Sequence, residues 1–164
     1  MPLWKIYHPV GAYSADDKHQ FAETITDLYA QVPIPRFYVV TVFEEVAAEN
    51  FYVGGKSHGN FVRFKVDHMA RTLPTKTIRD WWIRAADALI VPWVKDRGYD
   101  WEITIDELPA DLWSLQGETP PPFESVGEKR WVEENKASPY TLTEALPAQF
   151  PFAPGVATDL RVLS

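Results

Sequence analysis

The chain opens with MPLWKIYH, residues 1–8, in which a proline stands directly before a mostly apolar run. This run, closed by Pro9 and Gly11, predicts a first β-strand over residues 3–8. Removal of Met1 would free the secondary amine of Pro2, and such an amine, when partly desolvated, is neutral near pH 7 and acts as a base. The alternative is an inert N-terminus, since many chains begin with these two residues.

A first β-α-β unit is predicted from the residues after this strand. Ser14, with Asp17 three residues later, is typical of a helix N-terminus, and apolar residues recur at helical spacing up to Pro33. Residues 36–46, RFYVVTVFEEV, are rich in β-branched and aromatic residues on both parities. This composition is expected of a strand covered on both faces.

A second β-α-β unit is predicted after the pair Gly54-Gly55, which indicates a turn or a close backbone approach. Residues 61–66 alternate apolar and basic side chains, as a half-exposed strand does. A helix that begins near Thr77 keeps apolar residues at helical spacing, Pro92 should kink or end it, and Gly98 is a plausible C-terminal cap. Residues 101–106 predict the fourth strand.

These two tandem units predict an α+β fold over residues 1–116, with one four-stranded sheet and two helices on one face. The other face carries half of the apolar second strand, so we expect an oligomer packed sheet to sheet. Residues 117–164 hold half of the 14 prolines and one short helix candidate at 124–135. They predict an extended arm that packs on its own core or on a neighbouring subunit.

The composition excludes several classes of function. The net charge of −7 over 164 residues disfavours nucleic acid and anionic membranes as partners, and the absence of Cys removes thiolate chemistry. No metal-ligand spacing relates the four histidines, so we expect no metal and no cofactor. No signal segment or long apolar run is present, which favours a cytoplasmic location.

The predicted topology brings several chemically useful side chains toward Pro2. Because the first helix runs antiparallel to its strands, Tyr29 returns to the sheet edge where Pro2 begins. If the two units lie antiparallel, Arg71 and the end of the fourth strand, Thr104 to Glu107, reach the same edge. An amine, a guanidinium and a phenol together suit proton transfer next to a carboxylate-bearing carbon.

Each of these candidates also has a structural interpretation. Arg71 could form an ion pair, Tyr29 could be a core residue of its helix, and His68 could be a structurally satisfied histidine rather than a substrate contact. Trp101 either lines the pocket wall or packs in the core, and the sequence does not separate the two.

The chain resembles the tautomerase superfamily, specifically its cis-3-chloroacrylic acid dehalogenase-like branch. The resemblance spans residues 2–117 and rests on Met1-Pro2 before a strand, Lys18-His19 and Ile25-Thr26-Asp27 on the first helix, Phe51-Tyr52-Val53-Gly54-Gly55, Arg71, Trp101 and Glu107-Leu108-Pro109-Ala110. It implies a homotrimer, an N-terminal proline as acid and base, and an arginine that binds the substrate carboxylate.

Departures from the family pattern bear on which reaction survives. Tyr29 stands where the dehalogenase has a histidine, Pro74 replaces the second arginine of its carboxylate clamp, and Leu115 replaces its water-activating glutamate. Its assisting tyrosine falls at Ile103 or Thr104. Hydrolytic dehalogenation is therefore disfavoured, whereas enol-keto tautomerisation needs only the proline, an orienting cation and a dry pocket.

The sequence thus predicts an enzyme that moves a proton on a small unsaturated or 2-keto carboxylate. Pro2 is the predicted base and acid, Arg71 the carboxylate ligand and Tyr29 a secondary donor, with His68, Thr104 and Trp101 as further substrate contacts. Two alternatives stay open: a cofactor-independent hydratase or dehalogenase of haloacrylic or acetylenic acids, and a non-catalytic trimeric binding protein.

Overall fold

A computed structural model describes residues 2–69 and 71–147. The fold of this part of the chain is organised around one mixed sheet. Its strands are β1 (Pro2–Pro9), β2 (Val40–Val46), β5 (Phe61–His68) and β6 (Asp100–Glu107), in the order β2-β1-β5-β6. β1 pairs in parallel with β2, β5 pairs in parallel with β6, and β1 pairs antiparallel with β5. The two predicted β-α-β units are confirmed, and the pairing of β1 with β5 sets them antiparallel to each other.

Two short strands, β3 (Tyr52–Val53) and β4 (Lys56–Ser57), form a separate hairpin between the units. Gly54 and Gly55 both have positive φ, 58° and 77°. A two-residue hairpin turn of this kind needs the left-handed region at both positions, which glycine adopts without a steric penalty. The paired glycines therefore make a turn.

Two helices, α1 (Ala15–Ala30) and α2 (Lys76–Ile90), cover one face of the sheet. Ser14 and Asp17 form a reciprocal capping box at the start of α1. α2 begins slightly earlier than predicted, because the Thr75 side chain accepts a hydrogen bond from the Ile78 amide and caps the helix.

Alternation along the strands decides which side chains the helices cover. In β1 and β5 the even-numbered residues are buried and the odd-numbered ones are half-buried. Fully buried members of this face and of the helices above it are Trp4, Ile6, Phe21, Ile25, Val62, Phe64, Val66, Ala86 and Ile90. The core thus lies between the sheet and α1 with α2.

The opposite face is more charged than predicted. Three ion pairs lie on this face: Lys5 Nζ is 3.5 Å from Asp67 Oδ2, Arg63 pairs with Glu102, and Lys65 pairs with Asp106. The β1 and β5 members stand at odd-numbered positions, and Glu102 and Asp106 are their neighbours on β6. Apolar side chains also lie on this face: Val42 of β2 is 44% exposed, and Leu3, Tyr7 and Phe61 are half-buried. β2 itself starts at Val40 rather than residue 36, because Arg36–Tyr38 form a 3₁₀ turn after Pro35.

The first part of the arm packs on the core. Its helix α3 (Val126–Glu134) is capped by Ser125. Trp131 on this helix is fully buried, and its ring centroid lies 5.9 Å from that of Phe37 and 6.2 Å from that of Tyr38. The Asn135 side chain accepts a hydrogen bond of 3.0 Å from the Phe37 amide. The end of the predicted arm, residues 148–164, lies outside the described residues.

This packing predicts that the arm stabilises the core through Trp131. Replacing a buried tryptophan by alanine leaves a cavity, so Trp131→Ala should lower the free energy of unfolding by about 3–5 kcal/mol. Leu112→Ala, at a position 82% exposed, is the control and should change it by less than about 0.5 kcal/mol. Urea unfolding at one fixed protein concentration measures the free energy of unfolding of both variants. Equal losses of this free energy in the two variants would contradict the packing of Trp131 on the core.

Candidate active site

Pro2 lies at the head of β1 and is buried on the face that the helices cover. The antiparallel register places it directly opposite His68, the last residue of β5. Cross-strand neighbours of this kind have Cα atoms about 4.5–5.5 Å apart. The predicted base therefore adjoins an imidazole.

Tyr29 reaches the same region from the last turn of α1. Its hydroxyl oxygen accepts a hydrogen bond of 3.1 Å from Trp4 Nε1, and its ring centroid lies 6.1 Å from that of His68. Burial raises the pKa of the Tyr29 hydroxyl above its ordinary value. The hydroxyl therefore stays protonated and keeps its own hydrogen to donate.

His68 is a buried neutral imidazole, with only 4% of its surface exposed. Burial lowers its pKa to about 4, so the ring carries no charge at pH 7. Neither ring nitrogen has a hydrogen-bond partner among the described residues. A neutral imidazole offers one N–H donor and one bare acceptor nitrogen, and both are unused within this part of the chain.

A cavity of about 160 Å³ joins three of the predicted residues, Tyr29, His68 and Arg71. The rest of its lining is apolar or aromatic: Val32, Ile34, Leu73, Trp81 and Trp82. Helical spacing predicts only that both tryptophans are apolar positions of α2. Trp82 is buried, whereas Trp81 is 61% exposed although it lines the cavity, and no sequence signal distinguishes a cavity wall from an ordinary core contact.

Arg71 is held by an ion pair that the sequence did not predict. Its Nη2 donates to Glu128 Oε1 at 3.0 Å and to the Pro33 carbonyl at 3.2 Å, and its guanidinium lies 3.9 Å from the centroid of the Phe123 ring. Glu128 belongs to α3, 57 residues away in the chain. Arg71 thus adopts the alternative structural role while it also borders the cavity.

Thr104 and Trp101 lie away from Pro2 within one protomer. Trp101 pairs with Val62, six residues before His68, which places it about 20 Å from that end of β5. Its indole nitrogen donates to Asp87 at 3.3 Å. Thr104 is paired with Lys65 and shares its charged face of the sheet.

The end of β6 was also predicted to reach Pro2, and its last residue lies beside His68. Glu107 is the strand partner of His68 and accepts a 2.6 Å hydrogen bond from the Leu73 amide. Pro74 is exposed, and Leu115 packs against the core. Neither of these last two side chains offers a group that could bind a carboxylate or activate water.

Two further features can be stated for the described residues. Across residues 2–69 and 71–147, no group of three or more His, Cys, Asp or Glu side chains is arranged to hold a metal ion. In the same part of the chain, none of the helices is both long enough and apolar enough to cross a membrane.

Several solved structures share this arrangement of strands and helices. The family described as "Putative oxalocrotonate tautomerase enzyme" matches residues 1–136, and the chain belongs to that family. The resemblance drawn from the sequence is confirmed at this level.

Native RhCC from Rhodococcus jostii RHA1 is 47% identical to this chain, with a TM-score of 0.82 over 84% of this chain and 99% of RhCC. A probable enzyme from the thermophilic fungus Aspergillus fumigatus is 36% identical, with a TM-score of 0.80 over 85% and 98%. N1, a member of the cis-3-chloroacrylic acid dehalogenase family, shares the fold at 16% identity, with a TM-score of 0.65 over 81% and 97%. No curated protein matches the sequence.

The buried, neutral state of His68 predicts how stability depends on pH. The unfolded chain takes up a proton near pH 6.5, whereas the folded one does so only near pH 4, so stability is fully present above pH 6.5 and falls between these values. The loss should be about 3 kcal/mol or less. It is measured by comparing the free energy of unfolding at pH 7 and pH 4.5.

His68→Phe should lose this part of the pH dependence, since phenylalanine cannot be protonated. His19→Gln is the control because His19 is exposed, and it should keep the dependence of the unaltered protein. An unchanged pH profile in His68→Phe would show that His68 is not the group responsible.

Proposed function

We propose that the protein is a tautomerase-type enzyme in which Pro2, freed by removal of Met1, transfers a proton on a small unsaturated or 2-keto compound. One observation carries the proposal: Pro2 is buried opposite His68, and His68 and Tyr29 line one cavity with apolar walls. Membership of the family supports an enzyme of this class.

The geometry supports a proton relay through one amine. A neutral prolyl nitrogen takes the hydroxyl proton of an enol, the oxygen becomes a carbonyl, and the double-bond electrons move toward the neighbouring carbon. The same proton then passes from the prolinium nitrogen to that carbon, which restores the base. Burial favours the neutral amine before the reaction, because an apolar surrounding disfavours the cation.

Tyr29 is proposed to donate a hydrogen bond to the substrate oxygen. Its hydroxyl already accepts from Trp4, which fixes the orientation of the phenol and leaves the hydroxyl hydrogen available. His68 can then accept from or donate to the substrate without adding charge. These roles favour proton transfer over addition of water, because neither Leu115 nor Pro74 supplies a group for hydration.

We also propose that the protein works as a homotrimer. The fused 4-OT proteins described as asymmetric or symmetric trimers share its fold at 15–17% identity, over about 70% of this chain and 91–94% of theirs, with TM-scores of 0.54–0.57. The sheet face opposite the helices carries Val42, which is 44% exposed, and the half-buried Leu3 and Tyr7, and a neighbouring protomer would bury these apolar side chains. A neighbouring protomer could also bring Trp101 or Thr104 to the pocket.

The catalytic proposal predicts that Pro2 is indispensable. Purified protein should accelerate ketonisation of phenylenolpyruvate, of its methyl ester, or of both, followed by ultraviolet absorbance. Loss of the ring amine in Pro2→Ala should lower kcat/KM by about 100-fold or more, the range that general acid–base catalysis supplies. Pro9→Ala, at the other end of β1, is the matched control and should retain activity.

Intact mass must show that Met1 is absent from the protein assayed. If such protein accelerates neither reaction, the tautomerase proposal fails and a binding function becomes the better explanation. Addition of water to an acetylenic acid such as propiolate, by protein that ketonises neither enol, would favour the hydratase alternative.

The oligomer proposal predicts a particle of three times the chain mass. Light scattering coupled to size exclusion, at two protein concentrations, measures it. A monomer at both concentrations would contradict the trimer.

A further inference from the structure

The charge of Arg71 is already balanced inside the protein. Glu128 presents Oε1 to Arg71 Nη2 at 3.0 Å, and the side chain of Glu128 is only 4% exposed. Charge-assisted hydrogen bonds of this kind are stronger than those between neutral groups. A substrate carboxylate at Arg71 would therefore have to displace Glu128 or share the guanidinium with it.

Glu128 is also fixed in place from several directions. Its second oxygen, Oε2, accepts a hydrogen bond of 2.9 Å from the Glu124 amide, and its own amide donates to the Ser125 hydroxyl. The helix that carries it is anchored by the fully buried Trp131. Withdrawing the carboxylate would break its hydrogen bonds with the Glu124 amide and with Arg71, and it would remove a negative charge from a guanidinium that is only 19% exposed, which is costly.

The charges around the cavity do not favour a second anion. Arg71 is the one cation in the described lining of the cavity. Arg71 also lines a second, wider pocket of about 460 Å³, and the lining of that pocket includes Asp111 and Glu128. A substrate carboxylate that approached Arg71 from this side would meet these two acidic side chains, and like charges repel.

The cavity itself suits an uncharged oxygen compound. Tyr29 keeps a hydroxyl hydrogen, neutral His68 has two unused nitrogens, and Trp82 Nε1 is buried without a partner among the described residues. These groups can donate to a carbonyl oxygen or accept from an enol hydroxyl. The remaining walls are aliphatic or aromatic and would contact a hydrocarbon group.

From this geometry we infer that the pocket beside Pro2 takes an uncharged enolisable carbonyl compound, and that Glu128, acting through Arg71, keeps carboxylate substrates out. Glu128 is a positioning residue, because it touches Arg71 and not the substrate. The inference rests on the proposed tautomerase function and specifies its substrate class. It departs from the expectation that Arg71 holds a substrate carboxylate.

A matched pair of substrates tests the inference. Phenylenolpyruvate and its methyl ester differ in one negative charge, and kcat/KM for ketonisation is measured with each. The unaltered protein should prefer the ester. Glu128→Gln should shift the acid-to-ester ratio of kcat/KM toward the acid by about ten-fold or more, since the negative charge of Glu128 beside Arg71 is then removed.

The control variant is Glu133→Gln, which removes the same charge from an exposed position on the same helix. It should leave the ratio unchanged. A merely structural role of Glu128 would lower both rates together, so an unchanged ratio in Glu128→Gln would overturn the inference. Preference of the unaltered protein for the acid would overturn it as well.

A binding measurement on the unaltered protein covers the case in which Glu128→Gln does not fold. Tryptophan fluorescence reports binding of 3-phenylpropanamide and 3-phenylpropionate, since Trp81 and Trp82 line the cavity. Tighter binding of the amide is expected, and equal or tighter binding of the carboxylate, or no binding of either, would overturn the inference. If the amide binds but neither enol is ketonised, the proposed function fails while the selectivity for uncharged ligands stands.

Discussion

The antiparallel pairing of β1 with β5 is the contact on which the candidate site depends. It joins the two β-α-β units and sets the start of β1 against the end of β5, so Pro2 meets His68. The chain then continues past His68 to Arg71, while α1 returns Tyr29 to the same edge. Parallel pairing would instead place Pro2 near the start of β5, about 20 Å from His68.

The arm after residue 117 packs beside this edge of the sheet through its helix α3. Arg71 projects from the loop after β5, and α3 supplies both its counter-charge, Glu128, and the buried anchor, Trp131. A buried ion pair contributes little net stability because desolvation offsets the attraction, but removal of one partner is strongly unfavourable. The arm and the site are therefore coupled: the charge available to a ligand depends on whether α3 is docked.

Local signals made much of the fold predictable. Capping residues and helical spacing located α1, Gly54-Gly55 indicated a turn, and the tandem β-α-β units predicted one four-stranded sheet with two helices on one face. The start of β2 and the charged sheet face were harder to predict, because a 3₁₀ turn and a strand share aromatic residues, and ion pairs across strands depend on register.

The sequence by itself determined the architecture, the position of Pro2 at the start of β1 and the candidacy of Tyr29, His68 and Arg71, because these follow from local periodicity and chain direction. Only the tertiary structure decided what each side chain meets. The contact of Arg71 with Glu128 spans 57 residues, and the neutrality of His68 comes from burial under α1 and α2. Neither has a local signature, since charge balance and desolvation are properties of the packed neighbours rather than of the residues alone.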